Sequence, residues 1–270
     1  MNQDQHTLLA LFDHGMRENA RPDGPGARVE RAGPVVRQVG TADDWNGVVW
    51  SAPELDSGTA DAAIAAQVAY YTALGHDEFE WKLYAHDRPA DLPRRLRAAG
   101  FVPEPPETLM IAPVGPAATA VELPPVELPA GVRLRTVTDA AGAELMAAAH
   151  ERVFGSDPSR LRRQVLARLE RDPDSFVGVL AMAGDEPVSS ARMELYPGTG
   201  FAGLWGGGTV TPWRGKGIYR ALVAFRTRIA AERGCRYLQV DASDRSAPIL
   251  RRLGFTALGA TTPYVYRPAR

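Results

Sequence analysis

The chain has 270 residues, 31 Lys and Arg against 32 Asp and Glu, a formal net charge of −1 and an apolar share of 45%. Near-neutrality excludes general nucleic-acid binding, which needs a basic surplus; the lack of an apolar run near twenty residues, or of a charged-then-apolar leader, excludes membrane spanning and secretion. The expectation is a cytoplasmic protein of two domains, monomeric or a homodimer, whose single Cys235 rules out an internal disulfide or a multi-cysteine metal site and reads as a buried small apolar residue.

In chain order, Leu8, Leu11, Phe12 and Met16 stand at helical spacing over residues 7–17, and Pro22 and Pro25 end that helix. Arg28 to Val39, with Gly33-Pro34 between two short runs, reads as a hairpin, and Trp45 to Trp50 as a third strand. Ala60 to Leu74 is an alanine-rich helix stopped by Gly75. A strand over Glu78 to Ala85, a helix over Pro89 to Ala99 and a strand over Thr108 to Ala112 follow.

Pro113 to Pro129 is proline-rich and aperiodic, which places a linker at 116–130 between a domain of residues 1–115 and one of 131–270. In the second part, Val132 to Val137 alternates as a strand, and Thr138 or Asp139 can cap a helix over 140–154. A helix at 159–170, strands at 176–183 and 188–195 about a Gly184 to Pro187 turn, and a strand at 203–210 come next. A helix at 217–233, a strand at 237–242, a helix at 246–253 and a final strand pair ending at Tyr266 complete the chain.

The two parts also repeat. Pro93 to Phe101 ends in Gly-Phe before Glu107-Thr-Leu-Met-Ile111, and Pro248 to Phe255 ends in Gly-Phe before Thr262-Pro-Tyr-Val-Tyr266. The N-terminal part therefore reads as a degenerate copy of the C-terminal one.

Leu204 to Leu222, LWGGGTVTPWRGKGIYRAL, carries the chemistry. An apolar strand, a turn with Gly215 and Gly217, and a helix N-terminus make a nest of main-chain N–H groups at the positive end of a helix dipole, an anion site suited to a pyrophosphate. Glycines there let the main chain touch phosphate oxygens, and Arg214 and Lys216 add charge. Charge distribution agrees: from Gly131 onward 21 Lys and Arg face 13 Asp and Glu, a surplus of 8, whereas residues 1–130 carry a deficit of 9. Arg160, Arg162, Arg163, Arg168 and Arg171 within that surplus read as a solvated helix face. The equivalent Ser51 to Gly58 segment of the first part lacks both the glycine pair and the basic residues.

This turn resembles the acyl-CoA-binding motif of the GNAT superfamily of N-acyltransferases, Gln/Arg-x-x-Gly-x-Gly/Ala, with Arg214 and Gly217 matching and Tyr219 departing. The resemblance implies an α/β (α+β) fold, a mixed, mostly antiparallel twisted sheet flanked by helices, in two similar halves. It implies acetyl-CoA held by Gly208, Thr209, Val210, Arg214, Gly215, Lys216, Gly217, Ile218, Tyr219, Arg220 and Ser243. Gly206 to Gly208 stand where the family's fourth strand has a bulge beside the pantetheine arm, either leaving space for the acyl group or serving packing alone.

The mechanism so implied is direct attack of an amine on the thioester. Glu194, the only acid in Val188 to Val210, is the candidate base, or else a solvent-facing strand-end residue. The family's usual tyrosine acid falls on Leu250, which leaves Tyr264, Tyr266, Ser243, Ser246 or water for that role, Tyr264 foremost. Asp241 and Asp244 can touch the acceptor or cap the helix after them. The five histidines have no metal-ligand spacing and no metal is expected; a Gly-x-Ser-x-Gly elbow is absent. The expected activity is transfer of an acetyl group from acetyl-CoA to a small primary amine. The alternatives are a non-catalytic acyl-CoA sensor or accessory protein, or an acyltransferase using a longer or carrier-bound acyl donor.

Overall fold

A computed structural model describes residues 2–115 and 126–268, so residues 116–125 of the expected linker lie outside the described residues. Its elements are α1 (Gln3–Phe12), β1 (Arg28–Ala32), β2 (Val35–Val39), β3 (Gly47–Ser51), α2 (Ala60–Ala73), β4 (Phe79–Tyr84), α3 (Leu92–Ala98), β5 (Val102–Pro103), β6 (Glu107–Pro113) and β7 (Val132–Val137). They continue with α4 (Ala140–Phe154), α5 (Ser159–Arg171), β8 (Phe176–Ala183), β9 (Glu186–Tyr196), β10 (Phe201–Thr209), α6 (Ile218–Glu232), β11 (Tyr237–Ala242), α7 (Ala247–Arg252) and β12 (Thr256–Tyr266). Two boundaries differ from expectation. The first helix runs on into a π-helical turn at Asp13–Glu18, and the expected final strand pair is one long strand.

The chain divides into two compact units, one of Met1–Leu109 with Asp241–Asp244 and Ala257–Arg270, the other of Met110–Val240 with Arg245–Thr256. Each unit thus holds pieces from both sides of the proline-rich stretch. In the first, the strand order is β1-β2-β3-β4-β12, with β5 also on β12; β3 and β4 are parallel, while β1 with β2, β2 with β3, β4 with β12 and β5 with β12 are antiparallel. Its core gathers Val35, Ile64, Tyr71, Phe79, Trp81, Leu92, Leu96, Phe101 and Tyr264. The wide turn after α1 aims Arg17 inward, where Asp87 takes both arms of its Nη2 hydrogen bonding (2.8 and 2.7 Å) and Asp13 accepts from Nη1 at 2.8 Å. A buried guanidinium needs such partners, because an uncompensated charge in an apolar setting is costly.

In the second unit the order is β6-β11-β10-β9-β8-β7. Strands β7 to β10 form an antiparallel meander, and β11 runs parallel to β10. Asp139 caps α4 by accepting from Gly142 N–H at 2.7 Å, and Gly155, with φ 71°, ends it. Both α4 and α5 pack through Met146, Leu161 and Val165 on Phe176, Leu180 and Met182 of β8. Helix α6 covers the opposite face through Leu222 on Val179 and Ala191. A sheet with one face toward α4 and α5 and the other toward α6 is thereby fixed by the period-two alternation of β8 and β9.

The repeat read in the sequence has a local structural counterpart. Gly100 and Gly254 both take positive φ, 95° and 87°. After them Phe101 donates its N–H to Leu96 and Phe255 donates to Leu250, each at 3.0 Å. Both short helices are ended by the same left-handed glycine turn, which is why Gly-Phe recurs.

Candidate functional site

Strands β10 and β11 pair in parallel through Phe201, Ala202 and Gly203 with Tyr237, Leu238 and Gln239, and through no later residue of β10. Among the described residues no pair of the two strands follows Gly203, and this unpaired edge of β10, a wedge in the sheet, leads toward the glycine turn. Between Trp205 and Gly208 the register of β10 against β9 slips, with Gly206 at φ 58°. This is the bulge expected for the three glycines.

The faces of that bulge are already packed. A Cβ on Gly206 would lie 2.9 Å from Arg192 Nη1, one on Gly207 3.0 Å from Tyr219 Cε2, and one on Gly208 2.5 Å from Val153 Cγ1 and 3.0 Å from Phe154 Cζ. The space an acyl chain was expected to occupy above these glycines therefore holds side chains from β9, α6 and α4. The open route is the wedge at the strand edge rather than the glycine faces.

At the turn, Pro212 lies in a single 3-10 turn, Thr211–Trp213, in which Trp213 N–H donates to Val210 and Arg214 N–H to Thr211. From Gly215 to Arg220, no main-chain N–H donates to a protein acceptor among the described residues; the first bond of α6 is Ala221 N–H to Gly217 O, 3.0 Å. Gly215 and Gly217 take φ 76° and 82°, a left-handed conformation that L side chains rarely adopt. Nothing would meet a Cβ on Gly215 within 4 Å. Lys216 Nζ stands 4.8 Å from the ring centre of the exposed turn's Trp213, Arg220 is exposed, and Ile218 packs inward on Val188 and Val210. Val126 and Glu127 approach Gly217, and Leu128 joins the same apolar cluster as Ile218.

Several expected donor groups have protein partners. Val210 N–H donates to Val188 O at 2.9 Å, and Thr209 O accepts from Arg214 Nε at 2.9 Å. Gly208 O accepts from Ser189 Oγ at 2.6 Å. The pairing of β10 with β9 consumes Val210 N–H, so that group is not available to a ligand. Thr209 O is held by a side chain, which can turn away.

Glu194 lies on the α4 and α5 face of β9, its side chain 13% exposed. Arg192 Nε is 3.4 Å and Arg168 Nη2 3.7 Å from its oxygens, and Tyr196 Oη donates to it at 3.2 Å. The expected solvated arginine face of α5 thus surrenders Arg168, which is buried against Glu194 and Ser175. Trp205 and Tyr196 lie beside Gly203 on the same face. His150 of α4 stacks near Phe154, ring centres 4.6 Å apart, and burial, then Arg192, pushes its pKa down. Together these make a polar and aromatic face with one carboxylate, two guanidiniums and an imidazole.

Tyr219 turns toward the other face. Its ring lies against Gly207 and its hydroxyl hydrogen-bonds Ser246, just before α7; burial pushes the phenol up, with Arg226 and Ser246 acting in the opposite direction. The ring therefore does not cover the amides of the turn. Leu250 is fully buried in α7.

Tyr264, Tyr266, Ser243, Asp241 and Asp244 all fall in the first unit. Tyr264 is 3% exposed, pairs with Trp81 on β4 and carries Arg97 over its ring at 5.4 Å, so it is a core residue of that unit. Ser243 is exposed after β11. Asp241, 2% exposed at its side chain, makes an ion pair with Lys82 at 2.8 Å, while Asp244 provides no cap to α7, whose N-cap Ser246 makes no side-chain cap bond either. Pro248 in the first turn removes one of the N–H groups a cap would serve. Around Lys82 stand Glu107 at 3.8 Å and Glu80, which accepts from Trp45 Nε1 at 2.7 Å. Burial pushes Glu80 up and Glu107 up to about 7, Lys82 opposing both; Lys82 itself stays well above its ordinary value because Asp241, Tyr84 and the glutamates outweigh its burial. Sequence reasoning missed this cluster because Lys82 and Asp241 are far apart in the chain and no motif joins them.

Residues 142–255 match the Acetyltransferase (GNAT) family model. The chain carries a GNAT domain. The whole chain superposes on a GCN5-related N-acetyltransferase from Kribbella flavida with TM-score 0.69 and 22% identity, covering 100% of this chain and 97% of that one. A tandem GNAT protein from the clavulanic acid biosynthesis pathway aligns with TM-score 0.59 and 15% identity over 100% and 97%. A GCN5-related N-acetyltransferase from Sphaerobacter thermophilus gives 0.61 and 17% over 90% and 77%. These likenesses show the GNAT fold along the chain. No curated protein sequence matches it. The GNAT domain contains the turn, the wedge and the Glu194 face. Among the described residues no group of three or more His, Cys, Asp or Glu is placed to hold a metal ion, and no helix is long and apolar enough to cross a membrane.

Proposed function

We propose that the protein is an acyl-CoA-dependent N-acyltransferase that moves an acetyl group from acetyl-CoA to a primary amine of a small molecule by direct attack. The observation that carries this reading is the end of β10–β11 pairing at Gly203, ahead of a turn whose N–H groups from Gly215 to Arg220 make no bond among the described residues. Unpaired main chain on a strand edge suits the amides of a pantetheine arm, as an added strand would, and the turn suits its diphosphate. Arg214 would exchange Thr209 O for a phosphate oxygen, replacing a bond to an uncharged carbonyl with an ion pair to an anionic oxygen. Lys216, on the exposed turn, adds a second positive charge.

On this reading residues 131–270 form the working domain and 1–115 a degenerate copy, whose Ser51 to Gly58 segment offers no comparable amides. Gly208, Ile218, Tyr219 and Arg220 contribute main chain or packing to the donor site.

An alkylammonium with pKa ~10.4 is mostly protonated at neutral pH, a deficit of roughly 3 units or about 4 to 5 kcal/mol. Glu194 is the carboxylate assigned to relieve it, directly or through water, from the face that also presents Trp205 and Tyr196. Glu194→Gln should lower kcat and shift the pH dependence of kcat/KM. An unchanged profile would leave Glu194 as a clamp for Arg168 and Arg192 only. The function itself is tested by mixing the protein with acetyl-CoA and a panel of small amines and following free thiol. Amine-dependent release is expected; CoA binding without release for any amine would favour a non-catalytic acyl-CoA sensor, the reading that the hydroxyl-free Leu250 supports.

A further inference from the structure

A thioester that loses its acyl group leaves a thiolate, and the GNAT domain has a leucine, fully buried, where α7 would bring a hydroxyl to it. Two neighbouring side chains take no part in the proton transfers of the scheme above. Tyr219 occupies a position at the start of α6 where a large side chain is unexpected, and its ring is seated against Gly207 at the bulge of β10. Arg226, two turns further along the same helix, is 1% exposed. Its Nε donates to Leu222 O at 3.0 Å and its Nη1 to Arg192 O at 2.8 Å. Its Nη2 lies 3.8 Å from the point where a Cβ on Gly207 would stand. No carboxylate among the described residues pairs with it, and burial pushes its pKa down to about 10, with Tyr219 opposing and Arg192 assisting. A buried cation left with carbonyl partners only is costly unless a negative charge develops beside it.

We infer that the Tyr219 hydroxyl, held across the glycine bulge by Ser246, is the proton donor to the departing thiolate, and that Arg226 is its positioning residue. The inference rests on the acyltransferase reading. It assigns the two proton transfers to opposite faces of the sheet: Glu194 on the α4 and α5 side receives from the amine, and Tyr219 on the α6 side gives to sulfur. The amine nitrogen bonds to the carbonyl carbon while the carbon–sulfur bond breaks with its electron pair on sulfur. Sulfur then takes the phenolic proton, the phenolate recovers one from water, and the amine's surplus proton leaves through Glu194 to solvent. In water a phenol at ~10 gives its proton to a thiolate of ~8.5 slightly uphill. Burial raises the phenol further, and the Arg226 guanidinium and Ser246 work against that rise.

The test needs no knowledge of the acceptor. CoA in its free-thiol form is bound to the full-length protein, and the thiolate is titrated by its ultraviolet absorbance. In the wild type the bound thiol should ionise at a pH at least about one unit below that of free CoA, a tenfold gain in thiolate. In Tyr219→Phe this gain should vanish while CoA affinity stays within about threefold, and acetyl transfer, read with any amine the panel yields, should fall on the order of a hundredfold in kcat. Ser246→Ala, which keeps the ring in place, should lose part of the gain and serves if Tyr219→Phe does not fold. Equal thiol titration in wild type and Tyr219→Phe, with CoA bound to both, would overturn the inference and leave the donor site intact. Failure of CoA to bind the wild type would instead overturn the donor-site reading and this inference with it.

Discussion

Replacing Gly217 with aspartate should abolish measurable CoA binding, a loss of at least a hundredfold in affinity, with the fold retained by circular dichroism. Two effects combine. Gly217 has φ 82°, where any side chain costs ~1–2 kcal/mol, and a carboxylate would stand among the amides proposed to hold the diphosphate. Gly217→Ala separates them. An alanine Cβ would meet Arg220 Nη2 and Val126 Cγ1 only at 3.4 Å, so strain acts without charge, and a loss of no more than about tenfold is expected. Isothermal calorimetry on the three proteins decides the matter. Normal CoA affinity in Gly217→Asp would refute the anion site.

The second large effect is on stability. Lys82→Met should cost ~3–5 kcal/mol, because it strands Asp241, 2% exposed, together with Glu80 and Glu107, without their cation. Urea unfolding at pH 7 measures it. The pH dependence has a definite sign. The folded pKa of Glu107, about 7, lies above its ordinary 4.5, so the folded state holds more protons between those values. Stability from this group is full below 4.5 and is lost as pH rises through about 7. Without Lys82 that slope should steepen, since Glu80 and Glu107 lose the charge that opposes their protonation. The gap between wild type and variant should therefore widen from pH 5 to pH 8. Lys82→Met combined with Asp241→Leu removes both charges and should recover much of the loss; equal stability of the double and single variants would exclude the ion pair as the cause.

Much of this architecture was legible because local signals agree with the tertiary structure. The capping Asp139, the Gly155 stop and the Gly184 turn each act within a few residues, and the helix and strands they delimit lie where expected. The Gly-Phe repeat was readable for the same reason, as one hydrogen bond fixes each copy. The site was legible in its main chain and less so in its side chains. Gly215 and Gly217 announce themselves by type, whereas the filling of the bulge by Arg192, Tyr219 and Phe154 depends on which distant helix arrives there. Tyr264 shows the limit most plainly: alternation along β12 marks it as facing one side, and only the packing of α3 with its Arg97 reveals that side as core. Arg168 went the other way, since a row of arginines hides the single one that turns inward.

The separation of β10 from β11 makes the ligand-free domain a sheet with one seam left open. The amide hydrogens on that edge beyond Gly203 face no paired β11 residue among the described residues. They should exchange with solvent far faster than those of β8 or β9 in the same unit, and slow when CoA closes the seam. Binding should raise the melting temperature in step with ligand concentration, so that a cofactor small beside the protein behaves, thermodynamically, as a missing piece of its backbone.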